Sequence, residues 1–133
     1  MKELFIEAKV ENLEAVLDFV NGEIKKSKCS AKLLNQIDIA VEEIFVNIAN
    51  YAYEPGEGGA VIRVTAADEV VIEFEDKGKP YNPLEKNSPD ITANAEERDV
   101  GGLGVFMVKK IMDAVEYRHE DNKNILIIKK AVI

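Results

Sequence analysis

The stretch SAKLLNQIDIAVEEIFVNIANYA, residues 30–52, decides how the rest of the chain is read. Leu33, Leu34, Ile37, Val41, Ile44, Phe45 and Ile48 recur every three or four positions, the spacing that lines one face of a helix. Ser30 stands where an N-cap is wanted, and Pro55 with Gly56, Gly58 and Gly59 closes the pattern in a loop. The expectation is one long helix over about Ala31–Ala52.

Upstream of it, Leu4, Ile6, Ala8 and Val10 alternate with Phe5, Glu7 and Lys9, which predicts a strand. Asn12 is placed to cap a helix carrying Leu13, Val16, Leu17, Val20 and Ile24, with Gly22 weakening its far end. Downstream, two strands are expected over about Ala60–Ala67 and Glu69–Asp76, joined by a turn at Ala67 and Asp68. Residues 77–100 are polar, carry Pro80, Pro83 and Pro89, and lack periodicity. A stretch that long without regular structure is usually functional, so it reads as a lid over about 77–104, with a helical turn near Asn94–Arg98. A helix with Val105, Val108, Ile111 and Met112 follows, then strands about Val115–His119 and Ile125–Ile133 around the turn Asp121–Asn124. This order predicts an α+β fold, a two-layer α/β sandwich with a mixed, mostly antiparallel sheet and about three helices on one face.

The 133 residues are expected to form a single domain, 1–133, large enough to hold one core without disulfides. Cys29 and His119 are the only residues of their kinds, which excludes an internal disulfide and a Cys/His zinc cluster. A net charge of −8 with no Lys/Arg-rich block argues against binding to nucleic acid or anionic membrane. No signal peptide or membrane span is legible, so the expected location is cytoplasmic.

Three clusters can carry chemistry. On the long helix, Glu43 and Asn47 lie about 40° apart around the axis at the border of the apolar stripe, and Tyr51 continues their line. A carboxamide oxygen there suits Mg²⁺, which takes oxygen ligands and keeps several waters, and the carboxylate suits a general base. Both are equally at home as ordinary border residues of an amphipathic helix. In the second cluster, Asp76-Lys77-Gly78-Lys79-Pro80, Asp76 shares the parity of Val70, Ile72 and Phe74 and so faces the core side. An ionised Asp accepts only, which fits an exocyclic amino group such as adenine N6, and Gly78 would let backbone approach a flat ring. The plainer alternative is that Asp76 opens a turn. The third cluster, Gly101-Gly102-Leu103-Gly104, opens a helix whose N–H groups can bind phosphate, though a glycine cluster also serves as a hinge.

Taken together, the chain resembles the GHKL ATPase superfamily, and within it the bacterial anti-sigma factors that act as serine-protein kinases. The resemblance runs from about Leu13 to Lys130. Glu43-Ile44-Phe45-Val46-Asn47 resembles the helix box of that superfamily, which implies Asn47 as the Mg²⁺ ligand and Glu43 as the general base. Glu75-Asp76-Lys77-Gly78 resembles its Asp-x-Gly box, which implies that Asp76 reads adenine. Gly101-Gly102-Leu103-Gly104-Val105 resembles the box that wraps the phosphates below the ATP lid. Lys79-Pro80-Tyr81 stands where other branches have a further glycine, and Asn124 where a Thr is often found. The resemblance implies ATP and Mg²⁺ as ligands, with Pro80 at the cofactor site. It also implies a sigma factor or an anti-anti-sigma protein as partner, and homodimerisation through the first strand or helix. Arg98 and Lys109 are further candidates for phosphate contact.

Overall fold

A computed structural model describes residues 1–53, 56–82 and 107–132. Its elements are β1 (Lys2–Glu7), a 3₁₀ turn (Val10–Asn12), α1 (Leu13–Ile24), α2 (Ala31–Asn47), β2 (Gly59–Ala66), β3 (Glu69–Asp76), β4 (Ala114–Glu120) and β5 (Lys123–Ala131). Residues 107–111 are helical. The five strands form one sheet in the order β1-β2-β3-β5-β4. Every pairing in it is antiparallel. The fold is α+β, as the sequence pattern predicts.

The helices cover one face because the two periodicities meet there. Val16, Val20 and Ile24 of α1 and Ile37, Val41, Ile44 and Phe45 of α2 join one buried cluster with Ile62, Val64, Val70, Ile72, Phe74 and Ile128 of the sheet. Phe45 is fully buried, and truncating such a side chain to Ala costs about 3–5 kcal/mol. The other face of the sheet is polar in part: Arg63 bridges Glu3 at 2.8 Å and Glu75 at 3.0 Å.

The structure refines several boundaries. Ser30 caps α2 as expected, accepting from Leu33 N. β1 stops at Glu7, and Val10 turns outward into the 3₁₀ turn rather than continuing the alternation. Asn12 precedes α1 but makes no cap bond; its Nδ2 donates to Glu7 O at 2.9 Å instead. The expected single helix over Ala31–Ala52 is α-helical to Asn47 and then widens to a π-helical turn over Ile48–Ala52. Such turns often mark functional positions. The turn expected over Asp121–Asn124 is shorter. Asp121 and Asn122 alone make it, with φ of 53° and 61°, the left-handed geometry of a two-residue hairpin loop. Lys123 and Asn124 therefore belong to β5. The expected turn at Asn94–Arg98 and most of the lid lie outside the described residues.

Candidate functional site

The ends of α2 and β3 enclose a cavity of about 360 Å³. That volume falls in the range of small-molecule sites, roughly 300–1,000 Å³. Its floor is the helix-facing row of the sheet: Phe74, Asp76, Tyr117, Asn124 and Leu126. Its other walls are Ile44, Asn47, Ile48, Tyr51 and Ala52 from the helical layer, and Lys79, Pro80 and Tyr81 beyond β3. The lining is largely apolar and aromatic, with a few polar groups set into it.

Strand parity and register build the floor. Asp76 keeps the parity of Val70, Ile72 and Phe74, and is only 7% exposed. The two-residue turn after β4 sets β5 so that Asn124 pairs directly with Asp76 on one side and His119 on the other. Asp76 Oδ1 accepts from Gly78 N and from Asn124 Nδ2, each at 2.9 Å. Among the described residues no hydrogen bond reaches Oδ2. Burial pushes the Asp76 carboxyl above the ordinary aspartate range; the bonds from Asn124 and Gly78 oppose the rise, Glu75 adds to it and His119 reduces it. The bond from Gly78 is the turn-opening contact of an Asp, so the turn role and the buried carboxylate coexist in one residue.

Gly78 has a different reason from the expected one. A Cβ there would stand 2.2 Å from Ala52 O and 2.6 Å from Ala52 C. The close approach is to the π-helical turn, and Gly78 is not among the residues lining the cavity. Lys79 N donates to Ala52 O at 3.0 Å in the same contact. Tyr53, which the sequence reading did not single out, completes it: its hydroxyl accepts from Lys77 N at 2.7 Å and donates to Gly59 O at 2.6 Å. Burial raises the Tyr53 hydroxyl above its usual range, so it remains a donor at neutral pH. Three of these contacts, Gly78 against Ala52, Lys79 N to Ala52 O and Lys77 N to the Tyr53 hydroxyl, pin the chain leaving β3 to the helical end, and the fourth ties Tyr53 to the start of β2.

The helical side is less committed. Asn47 is half-buried and lines the cavity. Glu43, one turn earlier, is half-buried but is not a lining residue. Burial, and then the neighbouring Glu42, push its carboxyl up, the direction that makes a carboxylate a better base. Among the described residues neither side chain makes a hydrogen bond or ion pair. No group of three or more His, Cys, Asp or Glu could hold a metal among the described residues. A cation here would rest on the Asn47 carboxamide together with ligand oxygens and water.

Pro80 lines the cavity beside Lys79 and Tyr81. Gly101, Gly102, Leu103, Gly104, Val105 and Arg98 lie outside the described residues. Lys109 is exposed on the 107–111 helical segment. His119 is exposed on β4, an edge strand, and Cys29 is half-buried with its thiol pushed up by burial. No helix among the described residues is long and apolar enough to cross a membrane.

Comparison with known proteins adds to this geometry. A family model described as the histidine kinase-like ATPase domain matches residues 6–130. The serine/threonine-protein kinase BtrW of Bordetella bronchiseptica is 28% identical over 102 residues, covering 74% of this chain and 71% of that protein. The serine-protein kinase RsbW of Bacillus cereus is 25% identical over 132 residues, covering 96% and 82% respectively. Among solved structures, the RsbU and RsbW domains of a Mycobacterium tuberculosis protein superpose with a TM-score of 0.66 at 13% identity. That match covers 99% of this chain and 33% of the other, and it speaks to fold alone.

Proposed function

The chain belongs to the histidine kinase-like ATPase family, and from that premise we propose that it binds ATP in the α2–sheet cavity and transfers the γ-phosphoryl group to a serine of a protein partner. The partner class is an anti-anti-sigma protein, with a sigma factor as the protein otherwise held. The observation that supports this most is the meeting of Asp76 and Asn47 at one cavity from opposite layers of the fold.

In this reading the adenine amino group donates to Asp76 Oδ2 while the tyrosine-rich walls cover the ring. Bound Mg²⁺ would neutralise phosphate charge, and Asn47 would hold it through its carboxamide oxygen. Gly101–Val105 would supply backbone N–H groups to the phosphates. Glu43 accepts the hydroxyl proton of the serine as its oxygen bonds to the γ-phosphorus. The bond from that phosphorus to the bridging oxygen breaks, and ADP leaves with that oxygen. The raised Glu43 carboxyl suits the task.

A second reading, a nucleotide-gated switch that sequesters a partner without transfer, draws support from the position of Glu43 outside the cavity lining. One assay separates the two. The protein, Mg-ATP and its cognate anti-anti-sigma partner are incubated and the partner is examined for phosphoserine. The kinase reading expects transfer that Glu43→Gln slows by roughly 10²–10⁴-fold, with nucleotide affinity nearly unchanged. Nucleotide binding without any transfer leaves the switch.

A further inference from the structure

Asn124 is the most fully engaged polar side chain at the cavity. A carboxamide offers two N–H donors and two acceptor sites. Its nitrogen lies 2.9 Å from Asp76 Oδ1 and 3.0 Å from Lys79 O, with Gly78 O farther at 3.4 Å. Its oxygen accepts from the Tyr117 hydroxyl at 2.5 Å and from Tyr81 N at 3.3 Å. Tyr81 N–H can only donate, and Lys79 O and an ionised Asp76 can only accept, so the orientation of the amide is fixed by its neighbours. All four of its bonding positions are filled by protein, and it is 7% exposed. It has none left for a ligand.

We infer that Asn124 is the positioning residue of the base site. It fixes Asp76 by one oxygen, leaves Oδ2 as the single acceptor for an amino group, and ties Lys79 and Tyr81 to the same point. This rests on the ATP reading above and extends it. The consequence is selectivity for a 6-amino purine. Such a ring brings a donor to Oδ2, whereas a 6-oxo ring brings an acceptor against an acceptor, and a buried carboxylate left without its donor is costly. Removing the Asn124 amide leaves Oδ1 held by Gly78 N alone, so the carboxylate can turn about that one bond. It also releases the Lys79–Tyr81 wall, so that the site loses its preference rather than only its strength. Tyr117 acts one step further out, by holding the Asn124 oxygen.

The test is calorimetric titration of the intact chain with Mg-ATP and with Mg-ITP. Wild type is expected to favour ATP by on the order of tenfold or more. Asn124→Ala should erase most of that ratio by weakening ATP more than ITP. Asn124→Thr, whose hydroxyl can donate to Asp76 Oδ1, should restore part of it, and Tyr117→Phe should fall in between. If Asn124→Ala does not fold, Asn124→Thr and Tyr117→Phe carry the comparison. Equal weakening of both nucleotides in the variants, or an unchanged ratio, would mean a merely structural role and overturns the inference. A wild type that binds both nucleotides equally also overturns it, while leaving the nucleotide site standing. A wild type that binds neither removes the ATP reading and this inference with it.

Discussion

The sheet and the helix bring opposite kinds of polar group to the cavity. On the sheet, Asp76 and Asn124 are 7% exposed, paired across neighbouring strands, and joined to Gly78, Lys79, Tyr81 and Tyr117 by hydrogen bonds. On α2, Glu43 and Asn47 are half-buried, and among the described residues their side chains bond to nothing. The difference teaches where each kind of work is organised. On the proposed ATP reading, the base-recognising groups are already set in the folded chain, so binding there would require little rearrangement. On the same reading, the α2 side is where ligand oxygens, a cation and an acceptor protein would complete the site.

That division can be broken experimentally. The largest effect expected is on the uncommitted side: on the kinase reading, Glu43→Gln should abolish most transfer while calorimetry still finds the nucleotide. Asp76→Asn should do the reverse, lowering ATP affinity by roughly 10–100-fold, the range for losing a hydrogen bond to a charged group. If Asp76→Asn leaves affinity untouched, recognition does not reside on the sheet. Next comes the pinning of the two layers. Gly78→Ala drives a methyl into the Ala52 carbonyl, and thermal unfolding should show a loss of about 1–3 kcal/mol. A neutral result would mean that the segment after β3 moves independently of α2.

The smallest effect concerns pH. The carboxyl of Asp76 is raised above the ordinary aspartate value of 3.8 that it has in the unfolded chain, so its charged form is disfavoured in the folded chain. Its contribution to stability is therefore fully present below pH 3.8 and is lost as pH rises through the folded pKa. Asp76→Asn keeps an acceptor oxygen for Gly78 and Asn124 without the buried charge. The ligand-free variant should accordingly melt above wild type at neutral pH, the gap closing as pH falls toward 3.8. A variant that melts lower at pH 7 would show that the network stabilises the ionised form after all.

Much of this was legible in the sequence because it depends on local repeats. The stripe from Leu33 to Ile48 fixes the buried face of α2, and parity with Val70, Ile72 and Phe74 fixes the side on which Asp76 lies. What escaped depends on register and on contacts between distant segments. Asn124 was expected in a four-residue turn; an Asp-Asn pair tolerates left-handed backbone, and a two-residue loop at Asp121-Asn122 would have placed it opposite Asp76. The π-helical turn at Ile48–Ala52 leaves no mark in a helical repeat, so the contact of Gly78 with Ala52 could not be foreseen. Tyr53 lies just past the expected helix end at Ala52 and carried no reading of its own; only the fold brings it to Lys77 and Gly59. Glu43 and Asn47 were expected to act together; one turn apart on α2, Asn47 lines the cavity and Glu43 does not.

Amide spectra of the isotope-labelled chain, titrated with Mg-ADP, test the central claim most directly. The account predicts the strongest shifts at Asn47, Tyr51, Gly78, Tyr81 and the side-chain amide of Asn124, with the β1–β2 edge unmoved. Shifts confined to that edge, or none at saturating nucleotide, would contradict it.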